Sequence, residues 1–468
     1  MHMPGSFSIC AAVLYALTLG GYSAHAIQLD IHNEQSIKDA AATATWGMMT
    51  YYHGNETGQI PGAFPDKWWE GSALFYALLN YWHFTGDTTY NDELSVGLQW
   101  QSGSNGDYLP SNYSHFLGND DQMFWGLAAM TAAELKFPDV KHGFSWLSLA
   151  QGVFNSQKGR WNTTMCGGGL TWQMFPYQGG GYTMKNAISN GGFFQLAARL
   201  ARYTGDSEYS DWAKKTWDWS CSTPLVNNQT WLVLDSTEGT DGFTAEPRWL
   251  LEFWTRCPSD IFELYRADII LFSFRTKTGD QQWYTALDGL LNRTLATFFP
   301  EKTGYVMEEI LCEPRQICNN NEVLFKGLLS TWFSYIAIIV PSTYDRIMPK
   351  LQIAAVAAAA SCTGQGNNAC GVRWYESKYD GHPGMEQQIS VSQVLSANLL
   401  PFVQTSKSVA PVTSSTGGDS QSNPDAGLTN PVVKKGPDPI STGDKAGAGI
   451  LTVVLAVTWA AMMAYAAI

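Results

Sequence analysis

The sequence predicts an all-α protein, an (α/α)6 toroid of six helical hairpins around a central groove, and three observations carry that prediction. Apolar residues recur at three- and four-residue intervals in segments such as 73–84, 121–137, 192–203 and 323–340, which is the helical period. A short punctuation returns at Thr85-Gly86-Asp87, Thr204-Gly205-Asp206 and Thr278-Gly279-Asp280. Glycine takes the left-handed conformation that ends a helix and aspartate caps the next one, so these read as turns between antiparallel helices. Strand-like alternation is scarce, and no composition break divides residues 27–405. An open α-solenoid is the structural rival. Gly-rich connections at Gly167-Gly168-Gly169 and Gly179-Gly180-Gly181 suit long loops on one toroid face better than uniform short solenoid turns.

The chain has 468 residues with 41 acidic against 28 basic, a formal charge of −13. That balance repels a phosphate backbone and excludes nucleic acid as a partner. With 45% hydrophobic and 15% charged residues, the chain is too apolar to be mostly disordered and long enough to bury a large core. Aromatic residues make up 13%, an excess that suits a packed helical toroid or a groove whose walls stack on sugar rings.

Both termini read as processing signals. Residues 9–22 form an apolar run ending at Ala24-His25-Ala26, a signal-peptidase pattern that makes 1–26 a signal peptide. Residues 406–445 turn to Ser, Thr, Gly, Pro and Asn, a composition expected of a solvated stalk. Residues 446–468 are uncharged after Lys445 and long enough to span a bilayer. No Lys or Arg follows them, and the small residues Ser441, Thr442 and Gly443 favour a glycosylphosphatidylinositol (GPI) signal over a transmembrane helix. The expected location is therefore the cell surface, on the outer leaflet of the plasma membrane and in the cell wall.

Asn-x-Ser/Thr acceptors at Asn55, Asn112, Asn162, Asn228 and Asn292 agree with an extracellular surface. Cys10 leaves with the signal peptide, and the spacings Cys312/Cys318 and Cys362/Cys370 suggest two short-loop disulfides, with Cys166, Cys221 and Cys257 remaining. No Cys-x-x-Cys pair or His-Glu-x-x-His run occurs, so no metal and no cofactor is expected.

The chemistry concentrates at Asn119-Asp120-Asp121-Gln122-Met123-Phe124-Trp125. Helix capping alone accounts for two acids at a helix start. The functional alternative needs two carboxyl groups with opposite jobs: a retaining glycosidase uses one as nucleophile and one as general acid/base, about 5–5.5 Å apart. A helix N-terminus keeps one ionised, and repulsion from that anion raises the pKa of its neighbour. Trp125 lies four residues after Asp121 on one helix face, either to stack on a sugar or to pack in the core.

The segment from Gly118 to Met130 resembles the Asp-Asp signature of glycoside hydrolase family 76, the endo-α-1,6-mannanases, in its fungal cell-wall Dfg/Dcw subgroup. The likeness continues through Tyr51-Tyr52-His53-Gly54-Asn55, Trp68-Trp69-Glu70, Cys166-Gly167-Gly168-Gly169-Leu170-Thr171-Trp172-Gln173, Lys185-Asn186-Ala187-Ile188-Ser189-Asn190-Gly191, Asn321-Glu322-Val323 and Cys370-Gly371-Val372-Arg373-Trp374-Tyr375. The resemblance implies an (α/α)6 fold and activity at α-1,6-mannosidic linkages. It implies Asp120 as nucleophile, Asp121 as acid/base, and Trp69, Glu70, Asn119, Trp125, Trp172 and Asn186 as substrate-binding residues. For the fungal subgroup the implied role is transglycosylation, in which the GPI-core glycan of a wall protein is cut and the protein is passed to β-glucan. Plain endo-hydrolysis of α-1,6-mannan and a non-catalytic mannoside-binding wall module are the alternatives.

Two departures stand out. Residues 235–274 fit the subgroup poorly, with Phe262-Glu263-Leu264-Tyr265-Arg266-Ala267-Asp268 where relatives show Trp-x-Tyr-Asn-x-Gly. Gly192 stands where many relatives have Cys.

Overall fold

The structure, a computed structural model, describes residues 26–64, 67–237, 281–403 and 410–428 and the single position 452. Residues 1–25 and, apart from position 452, the 446–468 tail lie outside the described residues, as do Thr278-Gly279-Asp280, Cys257 and the divergent 262–268 run.

Eleven long helices are described: α1 (Glu34–Met49), α2 (Trp68–Thr85), α3 (Asn91–Trp100), α4 (Asn119–Glu134), α5 (Trp146–Lys158), α6 (Ala187–Thr204), α7 (Ser207–Ser222), α8 (Gln281–Phe298), α9 (Asn320–Ile339), α10 (Tyr344–Ala360) and α11 (Met385–Ala397). They form two layers. The inner helices pack in the order α9, α11, α2, α4, α6, while α1, α3, α5, α7 and α10 lie outside them. Burial follows the layers: α11 is buried along its whole length and α4 everywhere except Asp120 and Asp121, whereas α3 buries only Leu94, Gly97 and Leu98. A helix apolar on all sides must be covered on all sides, and an amphipathic one needs cover on one face only. By the same token α9, long and apolar enough to cross a membrane, is buried inside the ring. The architecture is the expected all-α (α/α)6 toroid.

The Thr-Gly-Asp turns work as their chemistry predicts at the glycines. Gly86 and Gly205 end α2 and α6 at φ +77° and +79°, where a side chain would be strained. Asp206 accepts the Glu208 N–H at 2.9 Å and caps α7. Asp87 differs: it accepts from Thr89 N–H and Oγ1 inside the turn, and Tyr90 precedes α3 instead.

Because inner helices run parallel, their N-termini share one end of the toroid, and there the two-residue strands β1 (Lys185–Asn186) and β2 (Ser236–Thr237) pair antiparallel. The opposite end is closed by ionic contacts. Arg199 on α6 grips Glu134 on α4 at 2.7 Å with both side chains buried, and Arg199 also donates to Thr131. Disulfides join Cys312 to Cys318 and Cys362 to Cys370, as the spacing suggested.

Residues 410–428, expected to belong to a solvated stalk, instead form a strap on the outside of the helical domain. Arg202 donates to the carbonyls of Pro411 and Val412, and Val412 N–H donates to the Glu134 carbonyl. The strap then runs beside α5 in the same direction. Asp139 takes Ser420 and Gln421, Gln151 takes Asn423, and the Asn155 amide holds the Pro424 and Ala426 carbonyls at 2.7 and 2.9 Å. Composition registers the lack of large apolar side chains. It does not register that side chains of the domain satisfy the strap's backbone groups.

Candidate active site

Asp120 and Asp121 open α4 at the end of the toroid where the inner helices begin. Gly118 precedes the helix with extended backbone, and its N–H donates to Asp121 Oδ2 at 2.7 Å. A Cβ at position 118 would fall 2.2 Å from Asp120 Oδ1, so glycine is what lets the Asp120 carboxylate fold back over the helix start. There Asp120 Oδ1 accepts the Asp121 N–H at 3.0 Å, and Asp120 Oδ2 accepts the indole N–H of Trp172 at 2.9 Å. Both carboxyl groups are half-buried.

Their environments differ. Burial raises the Asp121 carboxyl well above the usual carboxylate range, the negative charge of Asp120 pushes the same way, and the Gly118 N–H pulls weakly against them. The raised acid thus lies beside a neighbour that accepts two N–H donors. Two carboxyl groups whose surroundings push their pKa values apart are the pattern from which acid and base roles are assigned.

A buried frame aims the pair. Asn119 is fully buried; its amide donates to the Thr171 carbonyl at 2.8 Å, its backbone N–H to the Trp172 carbonyl, and its side-chain oxygen accepts from Arg160. Arg160 also donates to Gln122 and Ser156, and Gln122 donates to the Asp107 carbonyl. Behind Trp172, buried Lys185 donates to the carbonyls of Asn162, Gly168 and Gly169, and burial lowers its pKa to about 8. Arg160, Gln122 and Lys185 escaped the sequence analysis as site-building residues, because neither their type nor their spacing points to the Asp pair.

Trp69 keeps a partly open ring against Phe124 of α4 and Phe325 of α9, with centroids 4.7 and 6.5 Å apart, and so spans the inside of the ring. Glu70 is buried below the surface. Burial and the nearby Glu386 raise its pKa to about 8, while Lys67 opposes them. Lys67 Nζ lies 3.2 Å from both Glu70 and Glu386, and Asn320 donates to Glu386 at 2.6 Å. This second carboxyl pair joins the starts of α2, α9 and α11. Only Glu70 of it was anticipated, although an acid in the first turn of a helix was the available signal for Glu386.

Three expected substrate contacts are corrected. Trp125 is 0% exposed, packed among Trp68, Phe75 and Tyr108, and has no face for a sugar. The helix face that is open at Asp121 is covered one turn lower. Asn119, with its side chain committed on both ends, positions the pair from below. Asn186 is 4% exposed and caps α6 by accepting from Ser189 N–H. Gly192, the other departure, is filled from across the helix pair: a Cβ there would meet Met123 Sδ at 2.4 Å.

Cys312, Cys318 and Glu322 converge within ligand reach of one another, but the two sulfurs are spent in the disulfide. They do not make a metal site.

A helical toroid with two neighbouring carboxyl groups in unlike environments at the start of an inner helix defines a glycosidase of the two-carboxylate type. The chain belongs to glycosyl hydrolase family 76, whose model matches residues 36–413. It is similar to mannan endo-1,6-alpha-mannosidase DCW1 of Saccharomyces cerevisiae, 37% identical over 439 residues that cover 93% of this chain and 94% of the relative. The structure matches that of Dfg5 from Chaetomium thermophilum in complex with glucosamine, with TM-score 0.76 and 36% identity over 85% of this chain and 97% of that one. An inactive variant of the α-1,6-mannanase GH76A of Salegentibacter sp. HEL1_6 in complex with α-1,6-mannotriose shares the fold, with TM-score 0.59 and 19% identity over 78% of this chain and 99% of that one.

Proposed function

We propose that the protein cleaves α-1,6-mannosidic linkages with retention of configuration. Asp120 is the nucleophile: its carboxylate attacks the anomeric carbon, and the Trp172 N–H on Oδ2 orients it. Asp121 is the general acid. It gives its proton to the leaving oxygen, then as a carboxylate takes a proton from the incoming hydroxyl. The observation that supports this reading best is the raised Asp121 carboxyl directly beside Asp120. Trp69 offers a partly open ring between α4 and α9 for stacking, and the relatives supply the linkage.

The finer role is transfer: the GPI-core glycan of a wall mannoprotein is the donor and β-glucan the acceptor, at the outer leaflet of the plasma membrane or in the cell wall. The hydrophobic residues 446–468, preceded by small residues at 441–443, support a lipid anchor on this chain. Hydrolysis and transfer differ only in which hydroxyl reaches the glycosyl-enzyme.

The test is product analysis on an α-1,6-mannooligosaccharide with and without a β-1,3-glucan oligosaccharide. Transfer yields a mixed product only with the acceptor present; free mannooligosaccharides alone indicate hydrolysis. Asp120→Asn should abolish turnover but retain binding, and Asp121→Asn should act only on substrates with good leaving groups. Equal turnover by wild type and both variants would refute the enzyme reading.

A further inference from the structure

Arg160, which bonds Asn119 and Gln122, also lines a cavity of about 980 Å³ that the mechanism does not use. Its wall is built from the loop after α3, the end of α5, the 174–176 segment and the last described residues of the strap. The apolar side chains include Ile60, Trp100, Leu109, Phe175 and Leu428. Trp100 is 54% exposed, and Ile60 and Leu428 are exposed with it, although a large aromatic at a helix end ordinarily finds cover. Asp107 and Arg160 add charged groups to the lining, and Gln99, Asn105 and Ser104 add neutral donors and acceptors. An aromatic face flanked by amides and a carboxylate is what a sugar ring needs, apolar below and hydrogen-bonding at its rim.

The cavity wall also holds Asn112, exposed and the first residue of Asn112-Tyr113-Ser114. Asn55, Asn228 and Asn292 are exposed and Asn162 half-buried, and none of these four lines this cavity. We infer that Asn112 carries an N-linked glycan whose first sugars lie in this cavity against Trp100, between the α3 loop and the end of the strap. The inference rests on the reading that the chain enters the secretory route. In the modification, the Asn112 amide nitrogen bonds the anomeric carbon of the first N-acetylglucosamine and loses one proton. The bond from that carbon to the pyrophosphate of a lipid-linked donor breaks, and the lipid pyrophosphate leaves. The volume suits this occupant, since cavities of roughly 300–1,000 Å³ enclose ligands of a few rings. The glycan thereby covers apolar surface that the protein itself leaves open and holds Leu428 from outside.

The experiment uses the full chain secreted by a eukaryotic host. Glycan occupancy at the five acceptors is read by peptide mass spectrometry, and indole oxidation is timed at Trp100 and at Trp46, which is equally exposed on α1. In the glycosylated protein Trp100 should oxidise several-fold more slowly than Trp46. Asn112→Gln should bring the two rates together, and so should enzymatic removal of the glycan after folding, which keeps the test valid if the variant misfolds. Equal rates in the glycosylated protein, or Trp100 protection that persists without the glycan because the chain beyond Leu428 or another ligand covers it, would overturn the inference. So would an unmodified Asn112 beside occupied neighbours. Absence of glycan at all five acceptors would instead count against the secretory reading.

Discussion

The indole N–H of Trp172 meets Oδ2 of Asp120 at 2.9 Å, and this bond links the loop before α6 to the first turn of α4. It fixes Oδ2 while the Asp121 N–H holds Oδ1, so the carboxylate is oriented from both sides. Trp172→Phe keeps most of the ring and removes only the donor. A hydrogen bond to a charged group contributes about 1.5–3 kcal/mol, so kcat/KM on an α-1,6-mannoside should fall roughly ten- to a hundredfold. Thermal unfolding should shift little, and a variant with wild-type kcat/KM would show that the bond does not serve catalysis.

Gly118 is tested by the smallest possible addition. The methyl of Gly118→Ala would collide with Asp120 Oδ1, so the carboxylate must rotate away from the Asp121 N–H. Turnover should drop steeply while helix content stays unchanged, because the backbone there is extended and accepts alanine without strain. Circular dichroism alongside initial rates separates the two effects.

Glu70 gives a stability signature in pH. Its folded pKa of about 8 exceeds the ordinary 4.5, so the folded protein binds the proton more tightly than the unfolded chain does. Stability from this group is therefore full below about pH 4.5 and is lost as pH rises towards 8. Glu70→Gln, neutral throughout, should flatten the fall in unfolding free energy between those limits. An unchanged slope in denaturant titrations would show that the Glu70–Glu386 pair ionises freely.

At its far end the strap is held by the Asn155 amide. Asn155→Ala strips the Pro424 and Ala426 carbonyls of their donor at a cost of about 1–2 kcal/mol. Local opening of residues 410–428 should rise, read as faster cleavage in limited proteolysis, with turnover on a soluble mannoside little changed. Protection equal to wild type would mean that the Gln151 and Asp139 contacts suffice.

Trp125 and Asp121 mark where the sequence stops being informative. They share a helix face, and the period that relates them was legible; whether that face meets water was not, because cover changes along the helix axis with Trp68, Phe75 and Tyr108 coming from other elements. Glu386 and Glu70 stand more than three hundred positions apart and meet through ring closure, which no local pattern encodes. The strap was misread for a similar reason, since its partners Asn155, Gln151 and Arg202 are distant in the chain.

Local sequence by itself determined the helical period, the glycine turns, the short-loop disulfides and the placement of two acids at a helix start, all set by interactions within a few residues. Tertiary structure alone decided that burial and the Asp120 charge raise the Asp121 carboxyl, which tryptophan keeps an open ring and where the C-terminal strap lies. Desolvation and charge proximity depend on what surrounds a group in space, and in a closed ring those neighbours come from far along the chain.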